Sequence, residues 1–269
     1  MKSNLTNKIF WNNYWSESFF NIKETFLQQE KDIIYNVCDI FAKYRKNNNV
    51  NKKSYLKVLE IGGAGNGKIL KNVYFSGKYK ITSIDYSKNG NKLLKSNFKI
   101  NNIKSYKIIN ANIFSYKAKQ KYDFVYSLGF VEHFTNTERV IKTHFKFLKN
   151  NGILIIGFPN FSNLNGILLR FLNNDLFNKH NIKIMSNLFF NRLAKKIKCN
   201  LLFYKNISGY EPNMISFNKN KNTSVIAFFF SYFFFKILNF LNKIYFFKFF
   251  KFSFLNSYVL VVLSKNKLL

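Results

Sequence analysis

The stretch KVLEIGGAGNGKIL, residues 57–70, decides the fold. An apolar run closes on Glu60, and four of the chain's 11 glycines (Gly62, Gly63, Gly65 and Gly67) follow in quick succession. A bare turn between a strand and a helix lets a ligand approach main-chain amides at a helix N-terminus. In open α/β sheets such a turn sits where strands end and ligands bind.

Working outward, YLKVLEI (55–61) reads as a buried strand and 67–76 as the helix that follows. KITSID (80–85), SYKIIN (105–110), YDFVYS (122–127) and GILIIGFP (152–159) read as four more strands, with a helix over 87–100. TERVIKTHFKFLKN (137–150) is amphipathic, with Val140, Ile141, His144, Phe145 and Leu148 as its inner stripe. Asn151-Gly152 is expected to stop that helix. Residues 8–47 read as helical, 47–53 as a polar loop, and 163–197 as two helices with a connecting loop. NLLFYKN (200–206) and SYVLVVLSK (257–265) are late strands. Strands alternating with helices at this spacing imply a parallel sheet covered on both faces.

The formal net charge is +31, from 43 Lys and Arg against 12 Asp and Glu. The guanidinium groups are only Arg45, Arg139, Arg170 and Arg192. Specific phosphate and base recognition favours the forked guanidinium over the ammonium. The charge therefore implies lysine-rich solvated faces or a diffuse anionic partner, such as a membrane surface or acidic glycan, and no specific nucleic acid is expected. Cys38 and Cys199 lack metal-like spacing and read as reduced cysteines of a cytoplasmic protein. MKSNLTNKIFWNNYW lacks the apolar core of a signal peptide. VIAFFFSYFFF (225–235) is uncharged but shorter than the ~20 residues of a membrane span. Lys236, Asn239 and Lys243 share one face of its continuation. The segment reads as covering helices, or as a helix lying peripherally on the inner membrane face.

Three ligand classes use a glycine turn of this kind. The dinucleotide pattern G-x-G-x-x-G fails, because its last position falls on Lys68 or Leu70. The P-loop pattern is met from Gly62 to Lys68, but Ile69 stands where a magnesium-holding hydroxyl is needed. The third class is S-adenosylmethionine (SAM). V-L-E-I-G followed by further glycines resembles motif I of the class I, Rossmann-like, SAM-dependent methyltransferases. The usual register is shifted here, since Ala64 and Asn66 occupy two of the glycine positions.

The rest of the chain is similar to that family over most of residues 55–207. Asp85 in SIDYS ends the second strand, where the family's acid binds both ribose hydroxyls with charge-assisted bonds. The competing role is an N-cap on the next helix, which Ser87 can also fill. Asn112 in NANIF matches the position that contacts the adenine amine, with Ile113 packing on the ring. YDFVYSLGFVEHF (122–134) resembles motif IV, and Ser127, Leu128 and Gly129 would line the methionine half. FLKNNGILIIGFPNF (147–161) resembles the family's following segment, a leucine, a glycine turn and an apolar strand ending in Pro-Asn, and NGILLRFLNNDLFNKHNIKIM (165–185) resembles the insertion of a bacterial small-molecule and glycan subgroup.

The resemblance implies a seven-stranded, mostly parallel Rossmann-like sheet with N-terminal and C-terminal helical additions. Residues 1–50 form the N-terminal segment, 51–210 the core with its insertion at about 163–197, and 211–269 the covering helices and final strand. The implied cofactor contacts are Glu60, Gly62, Gly63, Gly65, Asp85, Tyr86, Asn112, Ile113, Ser127 and Leu128. The implied reaction is methyl transfer from SAM to a small-molecule, sugar or lipid-linked acceptor, at oxygen. A non-catalytic or membrane-docked protein that keeps the fold is the alternative, with nucleotide binding behind it, and only the charge speaks for an RNA or DNA acceptor.

His133 is the candidate base, or a histidine bonded to backbone at a helix start. His180 either touches the acceptor or fixes the insertion, and His144 faces the core. Related quinone-pathway enzymes carry E-x-x-E-H here with a metal. Gly129 replaces the first acid, so no metal is expected. Tyr14 and Trp15 either close over the cofactor or simply pack.

Overall fold

The computed structural model describes residues 4–17, 28–51, 53–65, 67–208 and 256–265, with positions 233 and 237. Seven strands form one sheet: β1 Leu56–Ile61, β2 Tyr79–Asp85, β3 Tyr106–Asn110, β4 Tyr122–Leu128, β5 Leu148–Pro159, β6 Asn200–Ile207 and β7 Tyr258–Ser264. Their order is β3-β2-β1-β4-β5-β7-β6. β7 runs antiparallel to both its neighbours, and the other pairings are parallel. The strand order reverses beside β1, which puts the glycine turn at the crossover where such sheets bind ligands.

Successive strand residues point to opposite faces of a sheet, and both faces here are apolar. Leu59, Val125, Leu154 and Val261 belong to one core, with Val140, Ile141 and Phe190 from helices. Val58, Phe124, Ile155 and Val262 belong to the other, with Val37, Phe41, Leu70 and Phe98. The inner strands β4 and β7 and the second half of β5 read as near-continuous apolar runs because neither of their faces meets water, whereas the edge strands β3 and β6 are largely exposed or half-buried. Phe41 stacks on Phe124 with ring centroids 4.0 Å apart. Burying such a ring contributes about 1.5–3 kcal/mol, so this contact helps hold the helix that carries Phe41 against the sheet.

The helices are α1 Lys8–Glu17, α2 Gln28–Asn47, α3 Lys68–Phe75, α4 Lys88–Ile100, α5 Thr137–Phe147, α6 Leu164–Leu172, α7 Asn174–Phe177 and α8 Asn187–Ile197. Short 3-10 turns lie at Val131–His133 and Ile182–Ile184. The segment expected as helical over 8–47 holds two helices among the described residues, and the insertion, expected as two helices and a loop, holds three. Helical periodicity also misplaces one boundary: α5 ends at Phe147, not at Asn151-Gly152, and Gly152 lies inside β5. Leu148 turns extended, is fully buried, and pairs with Tyr122. Burial of that leucine therefore starts the strand where helix periodicity alone would continue. The covering helices expected between 211 and 255 lie outside the described residues. The final strand forms as expected. Among the described residues, no helix is long and apolar enough to cross a membrane.

Candidate active site

The glycine turn is built by backbone that side chains rarely adopt. Gly62 and Gly65 have φ of +73° and +91°. The Gly62 amide donates to the Ile84 carbonyl at 2.9 Å, which ties the turn to the end of β2. Side chains from two other segments lie directly on it. A β-carbon at Gly65 would stand 2.4 Å from the Trp15 ring, and one at Gly62 would stand 2.6 Å from Phe130. Gly63 faces inward instead, against Ser83 and Glu60.

Beside Gly62 lies a cavity of about 40 Å³, lined among others by Asp85, Tyr86, Asn112, Ile113, Phe130 and His133. It opens beyond the carboxyl ends of β1, β2 and β3. Asp85 is 8% exposed. One of its oxygens accepts from the Ser87 amide at 2.6 Å, and burial pushes its pKa up to about 6. Ser87, not Asp85, caps α4, its hydroxyl accepting from the Gly90 amide at 3.1 Å. The carboxylate is therefore left to face the cavity. The Asn112 side-chain oxygen accepts from the Phe114 amide at 3.0 Å, so one of its two lone pairs is already used.

Ser127 and Leu128 do not line this cavity. The Ser127 hydroxyl is fully buried and lies 3.0 Å from His144 Nε2. His144 Nδ1 lies 2.8 Å from the Val140 carbonyl. A carbonyl only accepts, so Nδ1 carries the proton and Nε2 accepts from the serine. His144 is a structural bridge between α5 and β4, and its pKa is lowered to about 4 by burial. Glu60 also stays off the cavity. Its Oε2 is shut off from solvent without a hydrogen-bond partner, and desolvation raises its pKa to about 7.

The N-terminal segment roofs the cavity through Asn4, Thr6 and Trp11. Leu5 N donates to the His133 carbonyl at 2.8 Å, and the Ser87 hydroxyl donates to Asn12 Oδ1 at 2.8 Å. Trp11 meets the His133 ring edge-on at 5.1 Å. Sequence reasoning noticed WNNYW but not that Trp11 would reach the pocket, since nothing local sets that angle. Phe130, Phe134 and Phe114 were likewise unassigned.

Glu132 and His133 sit on the 3-10 turn after β4. His180, from the insertion, stacks obliquely on His133 with ring centroids 4.9 Å apart. Burial lowers the pKa of His133 to about 3 and raises that of Glu132 to about 8. The expectation of no metal rested on Gly129. The fold supplies a third candidate ligand, His180, that the local motif does not contain. The P-loop reading loses its lysine, because Lys68 Nζ is engaged by Glu30 of α2 at 2.5 Å.

A methyltransferase-domain family pattern matches residues 52–215. The chain belongs to that family, the class I SAM-dependent methyltransferases, and SAM is its cofactor. Solved structures share the fold at low identity. Magnesium protoporphyrin IX methyltransferase (ChlM) from Synechocystis PCC 6803, with bound S-adenosylhomocysteine (SAH), aligns with TM-score 0.58 and 12% identity over 96% of this chain and 99% of that one. The plantazolicin methyltransferase BpumL, in complex with a triazolic desmethylPZN analogue and SAH, aligns at 0.57 and 15% over 95% and 91%. Coclaurine N-methyltransferase, bound to N-methylheliamine and SAH, aligns at 0.54 and 14% over 91% and 74%. No curated protein sequence matches the chain.

Proposed function

We propose that the protein transfers a methyl group from SAM to the oxygen of a small-molecule, sugar or lipid-linked acceptor that reaches the site past His133 and His180. The observation that carries this reading is the cavity shared by Gly62, Asp85, Tyr86, Asn112 and Ile113. It joins a glycine turn, on which Trp15 and Phe130 now rest, a buried carboxylate and an apolar wall, the set an adenosine needs. Asp85 accepts from the ribose hydroxyls, Ile113 packs on the adenine face, and the remaining lone pair of Asn112 accepts from its amine.

The cavity is far smaller than the roughly 300–1,000 Å³ of ordinary ligand sites. The roof of Thr6, Trp11 and Phe130 therefore shifts when the cofactor enters. Bound SAM supplies a methyl carbon already activated by a sulfonium sulfur. The chain's own task is alignment, where positioning supplies up to about 7–11 kcal/mol. His133 Nδ1 donates to the Lys179 carbonyl at 2.8 Å, which leaves Nε2 as an acceptor. With its pKa lowered, that nitrogen orients an acceptor hydroxyl better than it stores the proton. The half-buried rings of Trp11 and Phe130 and the buried ring of Phe161 support an acceptor with an apolar body. Contact with a membrane surface is supported only by the Phe/Lys-rich sequence after residue 224.

Calorimetric titration with SAH, alongside ATP with magnesium, tests the reading. SAH should bind one-to-one and ATP should not. Binding of ATP without SAH would refute it.

A further inference from the structure

Among the described residues, Glu132, His133 and His180 are the one group of three His, Cys, Asp or Glu side chains whose potential ligand atoms converge, all within 4.8 Å of one another. They come from two segments pinned together by backbone. Asn181 N donates to the Glu132 carbonyl at 2.7 Å, and Asn181 Nδ2 donates to the Phe134 carbonyl at 2.9 Å.

Two further observations describe what this group lacks. Each imidazole has Nδ1 2.8 Å from a backbone carbonyl, Lys179 O for His133 and Leu176 O for His180. A carbonyl cannot donate, so both protons sit on Nδ1 and both Nε2 lone pairs are free. That arrangement fixes the tautomer and ring orientation of metal-ligating histidines. Glu132 is 1% exposed, and its Oε2 has no hydrogen-bond partner. Two neutral imidazole acceptors and a buried carboxyl group thus converge, with His133 Nε2 and Glu132 Oε1 3.9 Å apart, beyond hydrogen-bond distance.

We propose that Glu132, His133 and His180 bind one divalent first-row transition ion, with Zn²⁺ the best match. Two imidazoles and one carboxylate suit zinc, and they leave a coordination position open. Ligand atoms about 2.0–2.2 Å from a tetrahedral ion stand roughly 3.3–3.5 Å apart. His133 Nε2 lies 3.9 Å from Glu132 Oε1, so the group contracts modestly on binding. Gly129 leaves room for that movement, since a β-carbon there would stand 3.7 Å from Glu132 Oε1. On the proposed reading of the site, the ion lies beside the cavity that His133 lines, and the acceptor oxygen meets the ion in place of the bare imidazole. A Lewis acid there eases loss of the acceptor's proton.

The test is titration of the chelator-stripped full chain with CoCl₂, followed by visible absorption, with SAH affinity measured separately on the same stripped protein. One equivalent of Co²⁺ should develop the intense bands of a low-symmetry site, and ZnCl₂ should displace it. Glu132→Gln, close in shape to the native residue, and His180→Ala, at a half-buried position, should each weaken Co²⁺ binding at least ~10-fold. Thermal melts without metal report whether each variant folds, and either folded variant suffices. No bands with excess Co²⁺, or bands unchanged in the folded variants, would overturn the proposal. SAH binding is read independently, so loss of the ion site and failure of the cofactor site give different results.

Discussion

Replacing Asp85 with Asn should stabilise the free protein while crippling cofactor binding. Burial moves this carboxyl from an ordinary 3.8 to about 6. That rise of about 2 units means that ionising Asp85 in the folded chain costs about 3 kcal/mol at 1.36 kcal/mol per unit. The neutral amide avoids this cost, and its oxygen can still accept from the Ser87 amide. Some gain is lost because removing a negative charge adds to the repulsion within a chain of net charge +31. That repulsion is long-range and is screened at ~0.3 M salt. A net gain of about 2 kcal/mol raises the melting temperature by about 4–8 °C in a chain of this size.

The gain has a pH signature. Native Asp85 holds its proton up to about pH 6 and the unfolded chain only up to 3.8. The wild type therefore recovers stability as pH falls through that window, and the advantage of Asp85→Asn shrinks toward pH 4. Meanwhile the amide loses charge-assisted bonds to the ribose, each about 1.5–3 kcal/mol, so SAH affinity falls at least ~10-fold. Melts at pH 8 and pH 5, with calorimetry against SAH, read both effects. A variant that melts no higher than wild type at pH 8, or that binds SAH undiminished, would refute the placement of this carboxylate.

Urea midpoints across the pH range should peak between about pH 5 and 6.5. Native Glu132 and Glu60 keep protons to about 8 and about 7, so stability rises as pH falls toward neutrality, while His133 and His144, held neutral with pKa lowered to about 3 and about 4, oppose further gain below 6.5. A peak above pH 7.5 would contradict these burials. Gly65→Ala should lower the melting temperature and shift tryptophan emission, because φ of +91° costs an L-residue about 1–2 kcal/mol and the new methyl meets Trp15 at 2.4 Å. Unchanged emission would mean that Trp15 does not rest on the turn.

The sheet was legible because both of its signals are local. Apolar runs such as YLKVLEI have strand length, and the glycines after Glu60 mark a turn that other residues rarely make. Asp85 was legible for a similar reason, since it ends a strand and Ser87 was at hand to cap the helix. The end of α5 was not, because Leu148 suits a helix stripe and a buried strand equally, and only its pairing with Tyr122 decides. Ser127 was assigned to the cofactor, yet its hydroxyl turns to His144 on another element. The meeting of His133 with His180 depends on how the insertion folds back, and the placement of Trp11 and Trp15 depends on where α1 lands. None of these is encoded within a few residues of the side chain concerned.

The antiparallel strand β7 lies between β5 and β6, although β6 ends at Ile207 and β7 begins only at Tyr258. During synthesis, β6 emerges long before the strand that must separate it from β5. Until then the nascent chain carries two unmated apolar edges with a vacant slot between them. Ribosome stalling or premature termination in that interval would expose a template for intermolecular strand exchange, so the yield of soluble protein should depend on how promptly translation reaches residue 264.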